Sequence, residues 1–184
     1  MKTNFKNLEI YDNYITNISA IIDLLETKYK NSFMSREMKE KYFSLEKNPN
    51  GGDVLLVSET NRDLFNAIFE TIDKKITPNY PDLITIYRYY PGSFLQKHRD
   101  TALDYQNMIT DLTFLQSSSN HLKIYTNEHK NGYLVQENPG RRIIMPEDLE
   151  HEITTIEDNE ITRYTMTMTW LNSRPNISWW SERK

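Results

Sequence analysis

The chain has 184 residues, of which 38% are apolar and 26% charged, an ordinary composition for one globular domain with room for a substantial core. It contains no cysteine, which excludes disulfides, thiolate zinc sites and cysteine nucleophiles and leaves nitrogen and oxygen to hold any metal. The formal net charge of −4 argues against a broad phosphate-binding footprint, so nucleic acid is a disfavoured partner. The first residues, Met1-Lys2-Thr3-Asn4-Phe5-Lys6-Asn7, lack the apolar core of a signal peptide, and no stretch is apolar enough to span a bilayer. The expected location is therefore the cytoplasm. Ile15, Ile18, Ile21, Ile22, Leu25 and Tyr29 recur at steps of three and four, and so do Leu64, Phe65, Ile68, Phe69 and Ile72. This spacing predicts two amphipathic helices. Thr60, with Asp63 three residues on, is the expected start of the second helix, since both side chains can satisfy open backbone donors. Asn48-Pro49-Asn50-Gly51-Gly52 forms a loop between the helices, and Thr77-Pro78-Asn79-Tyr80-Pro81 closes the helical part.

From about residue 80 the pattern becomes one of short strands: Leu83 to Tyr90, Ile109 to Leu115, Leu122 to Tyr125, Tyr133 to Gln136, Arg141 to Met145, Glu152 to Ile156 and Arg163 to Leu171. Many short strands with turns between them predict a sandwich or barrel packed against the N-terminal helices. The chain reads as one domain over residues 1–184, with 1–80 mainly helical support and 81–184 the β core. In the last strand, alternation places Arg163, Thr165, Thr167 and Thr169 on one face and Tyr164, Met166, Met168 and Trp170 on the other. A surface strand with its threonines in water produces this pattern. So does a barrel with a polar interior, whose apolar strand face lies under the helices.

His98-Arg99-Asp100 is the triplet with the most chemistry in it. A histidine and a carboxylate two positions apart on a strand face the same way, and with His151 they would close three sides of an iron site. By itself His-x-Asp is weak, because four histidines and 26 acidic residues place some such pair by chance. The triplet also matches the start of the protein-kinase catalytic loop, but that signature wants asparagine where this chain has Tyr105. Context is more specific. Tyr87-Arg88-Tyr89-Tyr90-Pro91-Gly92 leads through a tight turn to His98 and Asp100, and Pro139-Gly140-Arg141-Arg142-Ile143-Ile144-Met145-Pro146 leads to His151. Arg163 follows 12 residues later.

Over about its last hundred residues the sequence resembles the 2-oxoglutarate and iron(II)-dependent dioxygenases, in particular the prolyl 4-hydroxylase-like branch. The resemblance implies a double-stranded β-helix, or jelly roll, giving an α+β but mainly β fold with the N-terminal helices packed on one sheet. It implies that His98, Asp100 and His151 are the 2-His-1-carboxylate ligands of iron(II), with 2-oxoglutarate and dioxygen completing the metal. Arg163 corresponds to the basic residue that pairs with the far carboxylate of 2-oxoglutarate, a two-point contact that lysine would make only as a point charge. Thr165 sits where a hydroxyl often assists, and Tyr89, or Tyr87 on the same face, corresponds to the cofactor-contacting tyrosine before the Pro-Gly turn. The implied activity is hydroxylation of a peptidyl or free amino-acid side chain, with release of succinate and carbon dioxide.

The chain departs from the family pattern in three places. Ser118-Ser119-Asn120-His121 replaces a Gly-Gly turn, and Leu95 and Phe114 stand where a tyrosine is common. A nucleobase-oxidising dioxygenase is the alternative within the family, although its second arginine, six residues after the first, is Thr169 here. A non-catalytic jelly-roll binding protein is the alternative outside it. His121 and His129 lie in a polar stretch and read as solvated loop residues, and Arg141-Arg142 as a solvated strand end. Trp179-Trp180 could cover the pocket or dock on the helices.

Overall fold

A computed structural model describes residues 8–35, 51–57, 61–75, 81, 83–99, 110–146 and 149–169. Among these are helices α1 (Ile18–Thr27) and α2 (Arg62–Thr71), and strands β1 (Glu9–Tyr11), β2 (Asp53–Val57), β3 (Leu83–Tyr89), β4 (Leu95–His98), β5 (Thr110–Gln116), β6 (Leu122–Ile124), β7 (Tyr133–Leu134), β8 (Arg142–Met145), β9 (His151–Ile153) and β10 (Arg163–Thr169). They form a six-stranded sheet in the order β1-β8-β5-β10-β3-β2 and a four-stranded sheet in the order β4-β9-β6-β7. All the pairings are antiparallel. No helix among the described residues is long and apolar enough to cross a membrane.

The two faces of the large sheet bury different chemistry. Ile84 and Ile86 of β3 and Tyr164, Met166 and Met168 of β10 pack with Ile21 and Leu25 of α1 and Leu64, Phe65, Ile68 and Phe69 of α2. Each such side chain contributes about 1.5–3 kcal/mol when removed from water. The opposite face, with Tyr89, Leu112 and Phe114, looks toward Leu122, Ile124 and Ile153 of the small sheet. The inward face of β10 is polar yet dry: Arg163 is 1% exposed and Thr165 2%. Of the two arrangements its alternation allows, the polar-interior one is found.

The N-terminal part is less purely helical than its sequence suggests. β1 and β2 are the two edge strands of the six-stranded sheet. The three residues of β1 are too few to show a period, and in β2 Val54-Leu55-Leu56-Val57 is an apolar run that carries no alternation. The start of α2 also differs. Thr60 lies outside the described residues, and Asn61 precedes the helix without a side-chain cap bond. Asp63 reaches across to α1, accepting from Lys28 Nζ at 2.7 Å and from the Tyr29 hydroxyl.

Arg142 is a correction to the reading of a solvated strand end. It is 5% exposed and forms a two-point pair with Asp111 of β5, Nε to Oδ1 at 2.8 Å and Nη2 to Oδ2 at 2.6 Å. The register that sets β8 beside β5 makes this contact across the sheet. Arg141 points the other way, to Asp12 Oδ1 at 2.7 Å. Replacing Asp111 with Ala would leave a buried guanidinium without its counter-charge, a loss of about 3–5 kcal/mol. The expected result is a large drop in the urea midpoint with little change in m-value.

Candidate functional site

The tight turn after β3 delivers the first histidine. Ser93 N–H donates to Tyr90 O at 2.9 Å, and Gly92 has φ of +82°, the left-handed geometry that a type II turn requires at its third position. The chain then enters β4, which pairs with β9 so that His98 stands opposite His151. The two imidazole centroids are 4.3 Å apart and the rings are inclined by 55°. His98 Nδ1 lies 2.7 Å from Gln96 O, and His151 Nδ1 lies 3.0 Å from Leu149 O. A carbonyl oxygen only accepts, so each Nδ1 carries a proton, which in a neutral imidazole leaves the lone pair on Nε2. Metal-binding histidines are held in this way. Asp100 lies outside the described residues, and among those described no group of three or more His, Asp or Glu side chains is assembled for a metal ion.

A cavity of about 90 Å³ borders the pair. Its polar lining is His98, His151, Tyr87, Tyr89, Thr165 and Thr167, and its apolar lining is Leu95, Leu112, Leu122, Met145 and Ile153. Both candidate tyrosines are therefore present, with ring centroids 6.4 Å apart and nearly parallel rings. The antiparallel register explains why: Thr165 sits opposite Tyr87, and Arg163 opposite Tyr89. Tyr90, the residue immediately before Pro91, is turned outward and is 40% exposed. Thr167 joins the lining through the same alternation that places Thr165 there.

Arg163 is at the inner end of β10, with its guanidinium 5.1 Å from the Tyr89 ring centroid and 5.7 Å from that of Phe114. Its two-point carboxylate contact is made within the chain, to Glu137: Nε to Oε2 at 2.7 Å and Nη2 to Oε1 at 2.9 Å. Sequence reasoning passed over Glu137. It is the buried acid in a polar run after β7, and its partner lies 26 positions away, so no local spacing signals it.

His121 is a second correction. It is 4% exposed rather than solvated, with Nε2 at 2.9 Å from Glu160 Oε2 and Nδ1 at 3.1 Å from Thr154 Oγ1. These partners satisfy both ring nitrogens, so burial costs little. His129 is half-buried against the ring of Tyr133, with centroids 5.6 Å apart. Trp179-Trp180 lies outside the described residues.

The fold is that of known oxygenases. The prolyl hydroxylase from Trichoplax adhaerens, solved in complex with a hypoxia inducible factor oxygen degradation domain peptide fragment, superposes with a TM-score of 0.70 over 92% of this chain and 85% of its own, at 15% identity. A Pseudomonas putida prolyl-4-hydroxylase gives 0.61 over 90% of this chain and 93% of its own, at 10% identity. The non-heme alpha ketoglutarate dependent carbocyclase SnoK from nogalamycin biosynthesis gives 0.61 over 89% and 79%, at 10% identity. No family model and no curated protein sequence matches the chain. What these likenesses establish is the architecture, mainly β with helices backing one of two antiparallel sheets, as in these jelly-roll enzymes.

Glu160 closes the loop between β9 and β10. Burial pushes its carboxyl up, but donors from Ser119, the Glu157 N–H and His121 outweigh it and hold the group below its ordinary 4.5. A depressed folded value means that the carboxylate stabilises the fold above about pH 4.5 and that this contribution is lost as the pH falls through the folded value. Thermal melts from pH 6 down to pH 3 should therefore fall less steeply for Glu160→Gln than for the parent protein.

Proposed function

We propose that this chain is an iron(II)- and 2-oxoglutarate-dependent oxygenase that hydroxylates a peptidyl or free amino-acid side chain, releasing succinate and carbon dioxide. The observation that carries the reading is the facing pair His98 and His151, each fixed through Nδ1 by a backbone carbonyl, beside a cavity lined by hydroxyl groups. This donor set fits iron(II): two neutral imidazoles, with Asp100 two positions beyond His98 as the proposed carboxylate. Bound iron(II), with the oxo acid and dioxygen, would supply the oxidising power for attack on a C–H bond.

The chain's own residues have simpler tasks. The Nδ1 bonds hold both rings at fixed orientation, so that their lone pairs converge without rotamer loss on metal binding. Tyr89 and Thr165 offer hydroxyl donors to the oxo acid, and Arg163 offers guanidinium N–H donors near its far end. Leu95, Leu122, Met145 and Ile153 keep water off the reacting region. A protein or peptide substrate is supported by the solved neighbour that holds a peptide fragment.

The test is succinate formation from 2-oxoglutarate with iron(II) in air, screened against peptides, free amino acids and single-stranded nucleic acid. Peptides or amino acids should stimulate release at least tenfold over the uncoupled background, and His151→Ala should bring it to the level without enzyme. Absence of succinate with all three classes would sink the proposal.

A further inference from the structure

We infer that Glu137 weakens this site's preference for a 2-oxo acid that carries a second carboxylate, by neutralising Arg163 and occupying one of its two-donor edges; this rests on the oxygenase reading above. The side chains of Arg163 and Glu137 are 1% and 0% exposed, so their pairing is shielded from solvent screening. Glu137 is fixed by four donors. Besides Nε and Nη2 of Arg163, its Oε1 accepts from the backbone N–H of His121 at 3.0 Å and of Leu122 at 2.6 Å. The carboxylate therefore cannot swing aside to yield the guanidinium to a ligand.

Bidentate recognition of a carboxylate uses two parallel N–H donors on one edge of the guanidinium, and on Arg163 the edge formed by Nε and Nη2 is spent on Glu137. What is left is the other edge, made by the second N–H of Nη2 and by Nη1, which is buried and has no hydrogen-bond partner among the described residues. A buried donor in that state incurs a desolvation cost that an incoming acceptor would relieve. Arg163 is not itself among the residues that line the cavity, but its neighbours are. The guanidinium lies over Tyr89, and Arg163 precedes Thr165 by one inward position on β10; both Tyr89 and Thr165 line the cavity. A ligand carboxylate at Nη1 would meet a cation whose charge Glu137 already balances from a few ångströms away. Most of the Coulomb attraction is cancelled, and hydrogen bonds from the Nη1 side of the guanidinium remain.

Glu137→Gln separates a structural role from a selective one. The amide oxygen can keep the donors that Oε1 accepts, while the amide N–H₂ faces Nε of Arg163, donor against donor. The guanidinium then keeps its charge and its Nη2 bond, and loses both the Nε contact and the counter-charge. Without ligand the variant should be less stable than the parent, yet it should bind the dicarboxylate more tightly, and a merely structural pair would not give that second effect.

The experiment is calorimetric titration of the full-length protein, loaded with manganese(II), using 2-oxoglutarate and 2-oxopentanoate, which has the same carbon chain without the second carboxylate. The parent protein should prefer 2-oxoglutarate by less than about thirtyfold. E137Q should raise that preference about tenfold by tightening 2-oxoglutarate binding alone, and its ligand-free melting temperature should fall. A parent preference above about thirtyfold overturns the inference, and this measurement needs no variant to fold. An E137Q preference that is unchanged or lower also overturns it. Those outcomes leave the oxygenase reading intact, whereas a parent protein that binds neither oxo acid removes both.

Discussion

Strand β10 is hydrogen-bonded to β3 along its whole length and to β5 on its other side, and its strict alternation of polar and apolar residues sets the layering of the molecule. Because the side-chain period is two, a slip of one residue would turn Tyr164, Met166 and Met168 away from the helices and push Arg163, Thr165 and Thr167 into the apolar core. The helix-backed core and the polar interior are thus two consequences of one register. The same register brings Tyr87 and Tyr89 alongside Thr165 and Arg163, which gives the cavity its hydroxyl groups.

Buried polar groups need partners, and both faces of the large sheet hold such pairs among the described residues. On the helix-backed face Arg142 has Asp111; toward the small sheet Arg163 has Glu137 and His121 has Glu160. Pairs of this kind seldom add much stability compared with an apolar core, but breaking one is costly. They fix where strands and loops sit relative to one another: Glu137 ties the segment after β7 to the start of β6 and to β10, and Glu160 ties the loop before β10 to the residue before β6. The apolar wall of the small sheet is held in place by charges on its borders.

Local pattern made much of this legible. Both helices, the alternation in β10 and the turn at Pro91-Gly92 follow from residue type and spacing, the nearness of His98 to His151 is what the family resemblance implied, and β3 and β5 to β10 fall within or close to the expected ranges. What escaped has a physical reason in each case. β1 and β2 lack a period because one is three residues long and the other is apolar after Asp53. Arg142, His121 and Glu137 look like surface residues in sequence because burial of a charged group depends on a partner far along the chain. Asp111 lies 31 positions from Arg142 and Thr154 lies 33 from His121. Glu137 had no such signal at all, and it is the residue that most changes the meaning of Arg163.

The central claim is that His98 and His151 converge on iron(II) beside a 2-oxo acid pocket. Its most direct test is the visible spectrum under anaerobic conditions, with iron(II) added first and 2-oxoglutarate second. The expected result is a weak charge-transfer band that needs both additions and is lost in His98→Ala and in His151→Ala. A parent protein that shows no band, or a band that survives both substitutions, would contradict it.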